Sequence, residues 1–180
     1  MTDWAARYPM LFAPRYEEYA NADLEFRLGA PRDDLVSRFH LVALDPAGLV
    51  VVCRSVEGWR FLPGGRREEG ESLAETARRE LREEAGCELV GGPDPVFAHQ
   101  RATSYNPEPH HPHFPHPVAA WAYAVARVEQ TGPPTVPEGG EQVVEVLTLA
   151  PAEAAGWLRV HDAEHADVVL LADAMGLLRP

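Results

Sequence analysis

Residues 63–87 constrain the fold more than any other part of the chain, because they specify one short helix with a defined start and end. Pro63-Gly64-Gly65 predicts a break after a preceding strand. Ser72 and Glu75 form a capping-box pattern, with Ser72 at the N-cap and Glu75 reaching back to it. Gly86 predicts the end of the helix in a left-handed conformation. One face is apolar, because small or aliphatic residues recur every four positions: Leu73, Ala77, Leu81 and Ala85.

The same helix carries three carboxylates on one side. At 100° per residue, Glu80, Glu83 and Glu84 fall within an arc of about 100°. Like charges at these spacings repel each other, and a divalent cation reverses the sign of that interaction. A glutamate-rich face is often only a solvated surface. Here the spacing, the glycine turn and the glycine stop occur together, so we expect a site for Mg²⁺ or Mn²⁺, with a backbone carbonyl at Gly64 as a further ligand.

The spaced pattern from Gly65 to Cys87 resembles the Nudix box. Gly65 is followed after five residues by Glu71, and the remaining fixed positions are Arg79-Glu80-Leu81, Glu83-Glu84 and Gly86-Cys87. Every fixed polar and glycine position matches. Cys87 stands where an aliphatic residue is usual, and a free cysteine behaves as a small hydrophobe. The resemblance to a Nudix domain extends over about residues 39–158.

This resemblance implies an α/β/α sandwich around a mixed β-sheet. It also implies metal-dependent hydrolysis of a phosphoanhydride bond in a small molecule, a nucleoside diphosphate linked to another group. Nucleoside triphosphates, sugar nucleotides and dinucleotides all belong to this substrate class. Arg79 is expected to orient the carboxylates. The candidate general bases are Glu83 and Glu84 inside the box and Glu141 outside it, with Glu138 and Glu145 as further options.

The rest of the chain reads as strands interspersed with helices, which indicates an α/β fold. A hairpin is predicted for Phe39–Leu44 and Leu49–Arg54, around the turn residues 45–48. Further strands are predicted at 59–62, 87–90, 118–128 and 143–149, and helices at 151–158 and 166–178. We expect an irregular loop at 99–117. The Nudix domain is expected at 36–180, preceded by an N-terminal extension at 1–35 that packs on the domain or on a partner subunit of a homodimer.

Several residues outside the box are candidates for substrate contact. Arg54 and Arg101 are expected to clamp phosphates ahead of Arg60 and Arg66. Trp59 either stacks on a base or packs at the rim of the core. The histidines of the loop either contact substrate, bind a transition metal or lie in solvent: His99, His110, His111, His113 and His116. We expect His161 and His165 on a solvated helix face.

Composition limits the alternatives. The net charge of −12 argues against a nucleic-acid polymer as partner. No stretch approaches 18 apolar residues, so no membrane span is expected, and the start of the chain lacks the pattern of a signal peptide. Cys53 and Cys87 are expected as thiols in a reducing cytoplasm. A non-catalytic nucleotide sensor is the main alternative. An isopentenyl-diphosphate isomerase would need a catalytic cysteine, for which Cys53, in an apolar strand, is a poor candidate.

Overall fold

The structure is a computed structural model that describes residues 2–136 and 142–179. Its strands are β1 (Arg15–Glu17), β2 (Ala22–Leu28), β3 (Val36–Leu44), β4 (Val50–Ser55), β5 (Arg60–Phe61), β6 (Gly64–Arg66), β7 (Cys87–Leu89), β8 (Ala98–Ser104), β9 (Val118–Gln130) and β10 (Val143–Leu149). Its α-helices are α1 (Trp4–Arg7), α2 (Pro9–Phe12), α3 (Leu73–Glu80), α4 (Pro151–Leu158) and α5 (Ala163–Ala174). A 3-10 turn covers Asp33–Leu35.

The strands form one mixed sheet in the order β1-β2-β8-β9-β3-β4-β10. Strand β3 runs parallel to β9, whereas the other pairs are antiparallel. The predicted hairpin is confirmed: Leu44 pairs with Val50, and Asp45 Oδ1 accepts hydrogen bonds from the Ala47 and Leu49 amides, both at 2.9 Å. Strands β5 and β6 lie beside β4 and β3 and connect the sheet to the carboxylate helix.

Helices cover both faces of the sheet, as expected for an α/β/α sandwich. Because neighbouring residues of a strand point to opposite faces, each strand contributes to two cores. One core joins the sheet to α3 and includes Leu41, Val51, Ala77, Leu81 and Ala124. The other joins the sheet to α4 and α5 and includes Val42, Val52, Val125, Leu158 and Val169. Within the described ranges, no helix is long and apolar enough to span a bilayer.

The helical segment made of α3 and the turn that follows it begins and ends where the sequence predicts. Ser72 Oγ accepts a hydrogen bond from the Glu75 amide at 3.3 Å, and Glu75 Oε2 accepts one from the Ser72 amide at 2.8 Å. The final turn, Leu81–Ala85, widens into a π-helix. Gly86 then ends the segment with φ 61°, a left-handed conformation that glycine adopts without strain. The carboxylates Glu83 and Glu84 therefore lie on the π turn and not on regular α-helix.

Residues 2–35 pack against the sheet and helix α5. The Tyr8 hydroxyl donates to the Leu170 carbonyl of α5 at 3.0 Å, and Phe12 packs edge-on against Phe26 with ring centroids 5.0 Å apart. Strand β2 pairs with β8 along its whole length. The N-terminal segment thus adds two strands to the sheet, and the domain boundary placed between residues 35 and 36 stays a prediction.

Two local predictions were wrong. Residues 63–65 were expected to end the preceding strand without forming another, but Gly64 and Gly65 belong to strand β6, because its backbone pairs with Arg38–His40 of β3. Residues 99–104, predicted as part of an irregular loop, belong to β8, which pairs with β2 and β9 on its two sides. In both places pairing with strands distant in sequence determines the backbone conformation, and the local glycine or histidine content does not show it.

Candidate active site

Arg79 contacts three of the four glutamates of the box, Glu71, Glu80 and Glu83; together with Glu84 these form the carboxylate cluster. Arg79 Nη1 donates to Glu80 Oε1 at 2.8 Å and to Glu83 Oε2 at 3.3 Å. Its Nε and Nη2 donate to the two carboxylate oxygens of Glu71, at 2.8 and 3.0 Å. Nη2 also donates to the Arg66 carbonyl at 2.8 Å. One guanidinium therefore gathers three carboxylates and holds the loop before α3 against the helix.

Gly65 allows strand β6 to approach the carboxylate of Glu80, and Gly64 allows it to approach strand β3. A Cβ atom built on Gly65 would lie 2.5 Å from Glu80 Oε1, so a side chain there would displace that carboxylate. The Gly64 amide donates to Glu84 Oε2 at 2.8 Å. Gly64 has φ 142°, and a Cβ there would lie 2.3 Å from the Phe39 carbonyl oxygen. A ligand role for the Gly64 carbonyl stays a prediction, since its amide makes the observed contact.

Glu71 braces the loop between β6 and α3. Each oxygen of the Glu71 carboxylate accepts one hydrogen bond from Arg79. Its Oε2 also accepts hydrogen bonds from the Thr76 hydroxyl at 2.9 Å and the Glu68 amide at 3.0 Å. Hydrogen bonds from Arg79 lower the pKa of Glu71 from 4.5 to about 2. Sequence reasoning missed Thr76, a buried hydroxyl five residues after Glu71 that has no place in the box pattern.

Burial has the opposite effect on Glu80. Its carboxylate is 6% exposed, and loss of solvation raises its pKa above the usual value of 4.5 despite the Arg79 contact. The pKa of Arg79 is raised in turn, chiefly by its hydrogen bonds to Glu71. A buried carboxylate that lacks full compensation gains most from a second cation.

The donor chemistry of this cluster fits a hard divalent cation. Glu80, Glu83 and Glu84 supply carboxylate oxygens from one side of a helix, next to a glycine loop. Within residues 2–136 and 142–179, no three acidic, histidine or cysteine side chains already converge as a metal cluster. Two of the three carboxylates contact Arg79 and the third contacts the Gly64 amide. Binding one cation through all three therefore requires some of these side chains to rotate.

The residues predicted to contact substrate interact with partners outside the carboxylate cluster. Arg54 forms an ion pair with Glu145 at 2.9 Å, which commits both residues to each other. Arg101 donates to Thr103 Oγ1 at 2.7 Å. Trp59 is 55% exposed and packs edge-on against His161, with ring centroids 5.8 Å apart. None of these three interactions involves a residue of the carboxylate helix, and the roles of Arg54, Arg101 and Trp59 stay predictions. Glu138 and Glu141 lie outside the described residues.

The histidines fall into separate groups. His99 is buried, and its Nδ1 lies 2.8 Å from the Gly29 carbonyl oxygen. His110, His111 and His113 contact each other's rings, but no set of three histidines, cysteines or acids is arranged as a metal site in the described parts of the chain. His165, predicted in solvent, is 7% exposed and accepts a hydrogen bond from the Leu62 amide at 3.2 Å. That prediction was wrong, because α5 is covered on several sides.

Comparison with known proteins agrees with this arrangement. Residues 35–173 match the family model of the NUDIX domain. The Nudix hydrolase of Nitrosomonas europaea is 14% identical, with a TM-score of 0.57 over 78% of this chain and 90% of that one. A pyrophosphohydrolase of Bacillus subtilis is 13% identical, with a TM-score of 0.55 over 76% and 77% of the two chains. The MutT protein of Methanosarcina mazei Go1 is 17% identical, with a TM-score of 0.53 over 82% and 99%.

A search of curated proteins gave no match. The structural likenesses are too low in identity to carry more than the fold. The family model covers most of the chain and includes the carboxylate helix together with the whole pattern from Gly65 to Cys87. The chain therefore belongs to the Nudix hydrolase family.

Proposed function

We propose that this protein hydrolyses a phosphoanhydride bond of a nucleoside diphosphate linked to another group, with Mg²⁺ or Mn²⁺ as cofactor. The observation that carries the proposal is the gathering of Glu71, Glu80 and Glu83 around Arg79, with Glu84 held at the Gly64 amide. A surface glutamate row that served only solubility would have no need of a buried carboxylate at Glu80 or of a glycine, Gly65, that makes room for it.

Glu80, Glu83 and Glu84 are the residues that would hold the metal. When bound, a divalent cation neutralises phosphate oxygens and favours attack of water on phosphorus. In that substitution a new P–O bond forms to water as the bridging P–O bond breaks, and the departing phosphate takes the electron pair. Glu83 and Glu84 inside the box and Glu141 outside it are the candidates to accept the water proton. Arg79 keeps its charge throughout and positions the carboxylates.

Substrate turnover tests this proposal. The purified chain is assayed for phosphate or nucleotide release from nucleoside triphosphates, sugar nucleotides, dinucleoside polyphosphates and coenzymes, with Mg²⁺, with Mn²⁺ and with chelator. We expect one class to be turned over only with metal, and Glu84→Gln to abolish most of that turnover. If no substrate is turned over and nucleotides still raise the thermal unfolding midpoint, the protein is a sensor and the proposal is wrong.

A further inference from the structure

A second site lies beside the box, where the N-terminal segment and the loop after β8 meet the sheet. We name it the arginine pocket. It is a cavity of about 110 Å³ lined in part by Tyr19, Arg38, Arg66, Asn106, His110 and Trp121. By volume it has room for several water molecules or for an ion of phosphate size. Tyr19 precedes the residues that match the family model, so the pocket is built partly by the chain's own extension.

Arg38 lies against two aromatic rings and forms no ion pair with an acidic side chain among the residues that the structure describes. Its guanidinium carbon is 4.8 Å from the ring centroid of Trp121 and 5.3 Å from that of Tyr19, and the two rings stack at 6.0 Å. These cation–π contacts fix the direction of the side chain but leave its charge uncompensated. Burial is the largest influence on the pKa of Arg38 and lowers it; Tyr19 raises the pKa, and the positive charge of Arg66 lowers it.

Arg66 lies directly opposite Arg38 in the antiparallel pair of β3 and β6. Two like charges at such a position destabilise a sheet. Ion pairs with carboxylates are common among the other arginines of this acidic chain, namely Arg15, Arg27, Arg32, Arg54, Arg67, Arg79, Arg82 and Arg159. Within the described residues, neither Arg38 nor Arg66 forms one. An anion bound between them would remove the repulsion.

The same row of the sheet contains another uncompensated polar group. Pairing of β8, β9, β3 and β6 places Gln100, Trp121, Arg38 and Arg66 side by side across four strands. The Gln100 side chain is 0% exposed, and neither its Nε2 nor its Oε1 has a partner in the described structure. A buried amide without hydrogen-bond partners lowers the stability of the fold. Packing of the sheet alone therefore does not explain a glutamine at this position.

We propose that the arginine pocket binds a phosphate group, with Arg38 and Arg66 as its ligands and Asn106 and His110 beside them. Arginine matches phosphate because its planar fork donates two parallel hydrogen bonds to the oxygens. The pocket is linked to the carboxylate cluster through the backbone of Arg66: its carbonyl accepts a hydrogen bond from Arg79 at 2.8 Å, and its side chain lines the pocket. The phosphate belongs either to the far part of the substrate or to a separate ligand.

Titration calorimetry with inorganic pyrophosphate, in chelator and at fixed ionic strength, tests the site without any reaction. Without divalent cations the carboxylate cluster repels the probe, so it does not compete with the arginine pocket, and the variants show which arginines bind pyrophosphate. We expect saturable binding to the wild type that weakens at least about tenfold in Arg66→Gln and in Arg38→Gln, because each loses charge-assisted hydrogen bonds. Arg27→Gln, which removes an arginine from the ion pair with Glu25, is the matched control and keeps wild-type affinity.

Arg66→Gln leaves the aromatic contacts of Arg38 intact, so it keeps the test valid if Arg38→Gln unfolds. Absence of saturable binding to the wild type, or equal affinity in the wild type and Arg66→Gln, would overturn the proposal. The KM of metal-dependent turnover then shows whether the bound phosphate belongs to the substrate or to a separate ligand. A KM raised at least about tenfold in Arg66→Gln assigns the phosphate to the substrate, which rests on the proposed function. An unchanged KM together with lost pyrophosphate binding assigns it to a separate ligand.

Discussion

Gly65 and Glu80 fit together so closely that the glycine has no room for a side chain: a Cβ would lie 2.5 Å from Oε1 of the carboxylate. The nearest atom belongs to the end of a side chain, so Gly65→Ala should move the carboxylate and leave the fold largely intact. We expect kcat to fall about a hundredfold, as for a misplaced catalytic group, with little change in the unfolding midpoint.

Gly92→Ala is the matched control for that variant, because a Cβ at Gly92 would meet no atom within 4 Å. It should keep wild-type kcat. Steady-state kinetics and thermal unfolding of the two variants decide the matter. Unchanged kcat in Gly65→Ala would mean that the position of Glu80 is not needed for turnover.

Arg79→Lys should separate charge from geometry. Lysine keeps the positive charge but lacks the planar fork that bonds both oxygens of Glu71 and reaches Glu80 and Glu83. We expect a loss of about 1–2 kcal/mol in the free energy of unfolding and a fall of about tenfold to a hundredfold in kcat. Urea unfolding and turnover measure these quantities. The control is Arg78→Lys, an exposed neighbour that donates to the Gly91 carbonyl. If Arg79→Lys and Arg78→Lys change the free energy of unfolding and kcat equally, Arg79 does not position the carboxylates.

Glu71 should make stability depend on acid pH. Its pKa in the folded state, about 2, lies below its ordinary 4.5, so the unfolded chain binds the proton more tightly. The stabilisation is therefore complete above about pH 4.5 and declines as pH falls toward 2. We expect Glu71→Gln to lose about 2 kcal/mol at pH 7 and the gap to wild type to narrow below pH 4.5. Urea unfolding across this range measures it, with the exposed Glu69→Gln as control. A gap that stays constant with pH would refute the assignment.

Gly86→Ala tests the end of the carboxylate segment. Alanine would adopt φ 61° with strain, and its Cβ would lie 2.1 Å from the Gly132 carbonyl oxygen. We expect a loss of at least about 2 kcal/mol in the free energy of unfolding. By contrast, Gly156→Ala within α4 meets no atom within 4 Å and should gain about 0.5–1 kcal/mol. Denaturant unfolding compares the two variants. A neutral Gly86→Ala would show that the backbone there adapts to a side chain.

The sequence predicts the carboxylate helix well because its signals are local. The Ser72 cap, the Gly86 stop and the apolar period all lie within one helix, and the box fixes the chemistry on its other face. Strand β6 escaped prediction because its pairing with β3 is non-local, and glycine content alone indicated a break. The burial of His165 escaped for a related reason, since contacts from other elements cover α5.

The arginine pocket shows the same limit at the level of the site. The sequence favours Arg54 and Arg101 because they flank the predicted end of the sheet, and it gives no reason to choose Arg38. Only the register of the three strands β6, β3 and β9 brings Arg38, Arg66 and Trp121 into one row. No spacing in the sequence encodes that register, because the partner strands are more than 20 residues apart.

The central claim is that the carboxylates of the π turn hold a divalent cation. Calorimetric titration of Mn²⁺ into the wild type, Glu84→Gln and the exposed control Glu57→Gln tests it most directly. Loss of a charged oxygen ligand should weaken Mn²⁺ binding at least about tenfold in Glu84→Gln, whereas Glu57→Gln should bind as the wild type does. Equal Mn²⁺ affinity and stoichiometry in Glu84→Gln and the wild type would contradict the claim.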